Sequence, residues 1–116
     1  MGEALITRRG GGEKTIKLVR EVSAVATSDL TDANWTGLDT QKYIYIFKGT
    51  SYSTSNDNEY DLIFVVANGQ LTYYEDHRNA SFDHFTITAT ANKITAKGYY
   101  SNVEIHNRVL LEVQIV

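Results

Sequence analysis

The amino-acid sequence predicts an all-β domain: an antiparallel β-sandwich of jelly-roll type, or a barrel, with about six to eight strands. Short apolar runs recur along the chain, and polar segments rich in turn-forming residues separate them. No segment has the apolar spacing of a long amphipathic helix. The 116 residues, 42% of them hydrophobic, are enough for one core, so we expect a single β domain over residues 15–116.

Residues 1–14 differ in composition from the rest of the chain. They contain four of its eight glycines, three of them consecutive at residues 10–12. A glycine run has no preferred backbone conformation, so this segment predicts a flexible N-terminal arm or hinge.

The first elements after the arm are a strand and a turn. Apolar residues on one alternating register predict a strand across residues 15–27. The stretch 28–35 is rich in Ser, Asp and Asn and predicts a short helical turn, which Ser28 or Asp29 would cap.

The middle of the chain predicts a strand, a loop and a second strand. In KYIYIFK, residues 42–48, aromatic residues alternate with isoleucines, which predicts a strand covered on both faces. Residues 49–59 are polar and rich in turn formers, so they predict an exposed loop. The apolar run 60–67 predicts the next strand.

Two hairpins and a last strand complete the prediction. Asn-Gly at 68–69 suits a type I′ turn, because both residues tolerate positive φ, and it pairs 60–67 with 70–75. A polar connection over 76–83 then leads to a Thr-rich hairpin and to a C-terminal strand at 108–116. The strands of this second hairpin are residues 85–90 and 94–99.

Charge and composition exclude several function classes. Eleven basic and fourteen acidic residues leave a net charge of −3, so we expect neither nucleic acid nor an anionic membrane as a partner. The chain has no cysteine for a disulfide or thiolate site, and no proline to protect edge strands, which fits an oligomer. The apolar residues 4–6 precede Arg8 and Arg9, the reverse of the order in a signal peptide, so we predict none.

The histidines are the main candidates for chemistry. His77, His84 and His106 lie in no catalytic motif, so solvated or structural roles are favoured over a triad. The pairs Asp76-His77 and Asp83-His84 offer zinc or iron ligands, but their spacing matches no known metal motif and a polar loop is favoured. We therefore predict a protein that is not an enzyme, with no catalytic residue, metal or cofactor.

Aromatic residues are numerous, with eight tyrosines and one tryptophan. Tyrosine favours strands, so packing within the sheets is the first interpretation. Tyr and Trp also suit protein interfaces and stacking on sugar rings. On the second interpretation, the binding residues are Trp35, Tyr52, Tyr73 and Tyr74.

The segment MGEALITRRGGG resembles the start of many tail-fibre-like and other tail-appendage proteins of phages and prophages in Gram-positive bacteria. Those chains often begin with Met and a few small residues, followed by A-L-[IV]-x-R-R-G and glycines. The resemblance covers about a tenth of the chain. The matching residues are Ala4, Leu5, Ile6, Arg8, Arg9, Gly10, Gly11 and Gly12.

The resemblance implies a non-enzymatic structural or assembly protein of a phage or prophage tail, which would display or pack its β domain in the virion. It implies an arm whose Leu5, Ile6, Arg8 and Arg9 attach to a neighbouring subunit, with other copies of the chain and other virion proteins as partners. The protein would then reside in the virion, or in the bacterial cytoplasm before assembly. The alternatives are a frayed terminus, and a stand-alone carbohydrate- or receptor-binding β-sandwich module whose partners would be cell-surface glycans.

Overall fold

The computed structural model of the protein describes residues 14–77 and 84–116. The predicted arm residues Leu5, Ile6, Arg8 and Arg9 lie outside the described residues, and so do Asp83 and most of the predicted loop 76–83. The described residues form nine strands: β1 (Ile16–Ser23), β2 (Asp32–Trp35), β3 (Ile44–Ser53), β4 (Asn58–Ala67), β5 (Gln70–Asp76), β6 (Phe85–Ala89), β7 (Ile94–Gly98), β8 (Val103–His106) and β9 (Val109–Ile115).

The strands form two antiparallel sheets. The larger has six strands in the order β1-β9-β3-β4-β5, with β8 also paired to β3. The smaller has the order β2-β7-β6. Side chains from both sheets share one core, so the fold is a β-sandwich and the predicted all-β class is confirmed.

The aromatic centre of the core joins the two sheets. Trp35 of β2 packs edge-on against Phe47 of β3 and Phe64 of β4, with ring centroids 5.4 and 5.9 Å apart. Phe47 and Phe64 stack on each other at 4.8 Å. The indole Nε1 donates a hydrogen bond of 3.2 Å to the Arg108 carbonyl, so the polar atom of Trp35 is satisfied inside the core.

Several predicted elements agree with the structure. The Asn68-Gly69 hairpin is confirmed, with φ of 55° and 77° at its two turn residues. The hairpin of β6 and β7 is confirmed too, and β9 covers most of the predicted C-terminal strand.

Three predictions are wrong in part. The first strand, predicted over 15–27, ends at Ser23. The predicted helical turn over 28–35 is a tight turn followed by β2, because Asp29 Oδ1 accepts hydrogen bonds from the backbone N and the hydroxyl of Thr31 and ends the turn there. The predicted loop 49–59 is mostly sheet, since β3 continues to Ser53 and β4 begins at Asn58, leaving four residues for the turn.

Strand β8 was not predicted from the sequence, and it lies beside β9 along the same edge of β3. Thr50 pairs with His106 and Phe47 pairs with Leu110, so one extra residue lies opposite β3 between these pairs. Asn107 takes a positive φ of 60° at this bulge. The bulge bends the chain so that two short strands can follow one long strand.

Candidate functional site

The predicted binding residue Trp35 lies in the core, with an exposed fraction of 0%. Its ring contacts Phe47 and Phe64, so no face of it is accessible to a sugar. The prediction of Trp35 as a surface stacking residue therefore does not fit its position. Short polar neighbours made this stretch look like a surface turn, but β2 alternates buried and half-buried residues.

The other predicted residues are dispersed over both faces of the large sheet. Tyr52 lies on its outer face, where its ring stacks on His106 at 4.7 Å and its hydroxyl donates to Asp57. Tyr73 is 47% exposed at the edge of the same face. Tyr74 points to the opposite side and packs against the core. The structure does not bring these residues together as one site.

The structure instead places a row of apolar residues across the outer face of the six-stranded sheet. Leu111 of β9 pairs with Ile46 of β3, which pairs with Val65 of β4, which pairs with Tyr73 of β5. Side chains of directly paired residues lie on the same face of an antiparallel sheet. Phe47, Phe64 and Leu110, which are neighbours of this row in sequence, are buried in the core, so the row faces away from it.

Further apolar residues flank this row. On one side lies a row of Leu18, Val113 and Ile44, and beyond it the pair Ile16 and Ile115. On the other side Ile63 pairs with Lys48. We call these residues together the apolar zone; its members are Ile16, Leu18, Ile44, Ile46, Ile63, Val65, Tyr73, Leu111, Val113 and Ile115.

The apolar zone is open to solvent at many positions. Leu18 is 53% exposed, Ile115 49% and Ile16 41%, and the exposed fraction of Leu111 is 36%. An antiparallel sheet with one wet face normally alternates apolar residues inside with polar residues outside. Because β9 and β3 are apolar on both faces, this sheet has the composition of a layer that is covered on both sides.

The outer face changes character along the strands. The row after that of Ile63 contains Asp61, which pairs with Thr50. In the following row, Tyr52 lies between Glu59 and Glu104. We call Glu59, Asp61 and Glu104 the acidic end. Glu104 Oε1 lies 2.9 Å from His106 Nε2 and accepts a hydrogen bond when that nitrogen carries the proton. Within residues 14–77 and 84–116, no salt bridge involves Glu59 or Asp61.

A buried charge network supports the sheet beneath this face. Glu112 is 3% exposed, and its carboxylate accepts hydrogen bonds of 2.9 Å from Arg20 Nε and 2.5 Å from the Tyr45 hydroxyl. Burial alone would raise the pKa of Glu112, but the hydrogen bonds from Arg20 and Tyr45 outweigh it and hold this pKa below its usual value. The same burial, together with the bond to Glu112, raises the pKa of Tyr45. The network joins β1 and β3 to β9 on the side of the sheet opposite the apolar zone.

A groove lies between the edges of the two sheets. It has a volume of about 440 Å³, and β5 and β6 form its sides. Apolar and aromatic side chains predominate in its lining: Leu71, Tyr74, Phe85, Thr86, Ile87 and Tyr99.

The three histidines pair with different carboxylates. His77 lies 3.0 Å from Glu75, and the buried His84 lies 3.5 Å from Asp76. His106 belongs to the outer face, beside Tyr52. Among the described residues, no group of three or more His, Asp or Glu side chains has the arrangement of a metal site.

The fold and this site define an antiparallel β-sandwich with an apolar sheet face that is partly exposed among the described residues. No protein-family model, no curated protein and no solved structure matches the chain. Within residues 14–77 and 84–116, no helix is long and apolar enough to cross a membrane. The surface of the large sheet is therefore the main guide to function.

Proposed function

We propose that this protein is a non-enzymatic assembly domain that associates through the outer face of its six-stranded sheet, as a structural component of a phage or prophage tail. The apolar zone is the observation that carries the proposal. It combines exposed Ile16, Leu18, Leu111 and Ile115 with half-buried neighbours and the buried Val113 in one patch across five strands. Contiguous apolar patches of this kind mark protein interaction sites.

The tail component is the more specific part of the proposal. It is supported by the resemblance of residues 4–12 to the start of tail-appendage proteins, and by the exposed apolar residues of the sheet face, which suit a subunit that packs against neighbours. The first partner we propose is another copy of the chain, and other virion proteins follow from the same resemblance.

The test is the molar mass of the full chain in solution, measured by light scattering over a range of concentrations. We expect an oligomer, and we expect Leu111→Lys to dissociate it, because a lysine at a covered position would bury its charge. Val25→Lys is the matched control, since Val25 is 47% exposed in the connection between β1 and β2, away from the apolar zone. A full chain that is monomeric at all concentrations would contradict the proposal.

The alternative function is carbohydrate or receptor binding by a stand-alone module. The groove between β5 and β6 favours it, because Tyr74 and Tyr99 line a concave apolar surface on which a sugar ring could stack. A glycan screen with Tyr99→Ala tests it, since Tyr99 is 67% exposed and its loss should not disturb the core. Tyr52→Ala is the comparison on the outer face. Glycan binding that Tyr99→Ala abolishes would favour this function over assembly.

A further inference from the structure

We propose that the outer face of the six-stranded sheet binds residues 4–9 of a second copy of the chain. In an extended segment, Leu5 would lie on the apolar zone and Arg9 would pair with the acidic end. This inference rests on the proposed function and deepens it, because it names the occupant of the same face.

The order of chemical groups in the segment matches the order on the face. In ALITRR, residues 4–9, an apolar triplet precedes two arginines. On the face, the row of Ile46 and Val65 lies four residues along the strands from the row of Thr50 and Asp61. In an extended segment, Leu5 and Arg9 are also four residues apart and point to the same side, so both separations are about 13 Å. Leu5 can therefore cover the apolar row while Arg9 reaches Asp61.

The charges are complementary as well. Glu59 and Asp61 are exposed, and neither pairs with a cation among residues 14–77 and 84–116. Arginine forms bidentate hydrogen bonds with carboxylates, so Arg9 suits either of these acids, and Arg8 beside it adds positive charge near the acidic end. Lys48 pairs with Ile63 at the end of the apolar zone nearest the acidic end, and it would lie opposite Thr7.

The geometry favours a second copy over the segment of the same chain. Thr15 pairs with Val116, so the chain enters the sheet beside Ile16 and Ile115, at the end of the apolar zone farthest from the acidic end. The row of Asp61 lies nine residues along the strands from Thr15, which is a distance of about 30 Å. Arg9 precedes Thr15 by six residues, which span at most about 21 Å.

The order of groups is also wrong for the same chain. An arm that turned back over its own face would place the arginines on the apolar zone and Leu5 and Ile6 nearer the acidic end. A segment from another copy can run in the opposite direction, so each group meets its complement. Because the arm and the face are different surfaces, reciprocal exchange between two copies closes a dimer, and one-way repetition builds rings or filaments.

The test uses two full-length variants and their mixture, with molar mass measured by light scattering. The arm variant is Arg8→Glu/Arg9→Glu, and the face variant is Glu59→Lys/Asp61→Lys. The association constant of each variant alone should be at least about tenfold lower than that of the wild type, because like charges would meet in the complex. An equimolar mixture should associate again, because the reversed arm meets the reversed face and the original arm meets the original face.

Two further variants control for charge and for folding. Glu59→Gln/Asp61→Asn changes the net charge by +2 with little change in shape, and it should weaken association. Thr86→Lys/Thr88→Lys changes the net charge by the same amount on exposed positions of β6, in the other sheet, and association should be unchanged. Circular dichroism and thermal unfolding establish that each variant is folded. If Glu59→Lys/Asp61→Lys does not fold, Glu59→Gln/Asp61→Asn still tests the proposal.

The outcomes separate this inference from the proposed function. Association that Leu111→Lys abolishes but the arm variant leaves intact would overturn the inference and retain assembly through the face, with two sheets packed on each other. Variants that stay monomeric when mixed would overturn the exchange between copies. A wild-type chain that is always monomeric would overturn both proposals.

Discussion

The Tyr45 hydroxyl donates a hydrogen bond of 2.5 Å to the carboxylate of Glu112, and both residues lie on the buried side of the six-stranded sheet. The backbone N of Asp39 donates 2.9 Å to the same hydroxyl. Arg20 donates to Glu112 from β1, so one carboxylate joins three strands of the sheet. A buried carboxylate is stable only when such donors compensate for its lost hydration.

We expect Tyr45→Phe to lower the free energy of unfolding by about 1.5–3 kcal/mol, because it removes a donor from a buried charge. Urea unfolding followed by circular dichroism measures this change. Tyr52→Phe is the matched control: its hydroxyl donates to Asp57 on an exposed loop, and the loss should be below about 1 kcal/mol. Equal losses in the two variants would show that the Glu112 network contributes little to stability.

Stability should fall in acid through Glu112. Its pKa in the folded protein is lowered, so the unfolded chain binds this proton at a higher pH than the folded protein does. The contribution of Glu112 is therefore complete above its unfolded pKa, about 4.3, and is lost as the pH falls through the folded value. Urea unfolding between pH 6 and pH 3 should show a shallower pH dependence for Glu112→Gln than for wild type. Identical slopes would contradict this assignment.

The local signals in the sequence were reliable where a residue type has one strong preference. Asn68-Gly69 tolerates the positive φ values of its turn, and the structure places the hairpin there. The alternation of Tyr45 and Phe47 with Ile44 and Ile46 was also informative, since the first two are buried in the core and the others are partly covered on the outer face.

The remaining features depend on contacts between distant segments. Trp35 is buried because β2 packs on β3 and β4, and nothing in its polar neighbourhood indicates that. Ser51 and Ser53 looked like loop residues, but pairing with β4 and β8 makes them buried strand residues. The outer face is a long-range feature too, because β1, β9, β3 and β4 become neighbours only in the folded sheet.

Gly49 is a position where the structure requires glycine. A methyl group there would lie 2.3 Å from Cζ of Phe47 and 2.8 Å from the carbonyl oxygen of Asn107 at the bulge. Gly49→Ala should therefore destabilise the protein by about 1–3 kcal/mol or more, because Phe47 and the bulge must both shift. Gly37→Asn is the control, since Gly37 has φ of 70° but no atom within 4 Å of the added Cβ, and Asn tolerates this conformation. Thermal unfolding should show a much larger loss for Gly49→Ala, and a similar loss for both variants would argue against this packing.

Lys48 gives the most direct check on which group approaches the outer face. It is exposed, and it pairs with Ile63 in the row next to that of Thr50 and Asp61. If the arginines of another copy bind beside it, Lys48 repels them, and Lys48→Glu should strengthen self-association by about threefold or more, in proportion to one surface charge pair. Lys93→Glu in the turn between β6 and β7 makes the same change in net charge on the other sheet, and it should leave the association constant unchanged. Sedimentation at low and high salt provides the measurement, because the gain should shrink as salt screens the added attraction. Weaker association of Lys48→Glu than of Lys93→Glu would mean that the approaching group is acidic or apolar, and that Arg8 and Arg9 do not bind there.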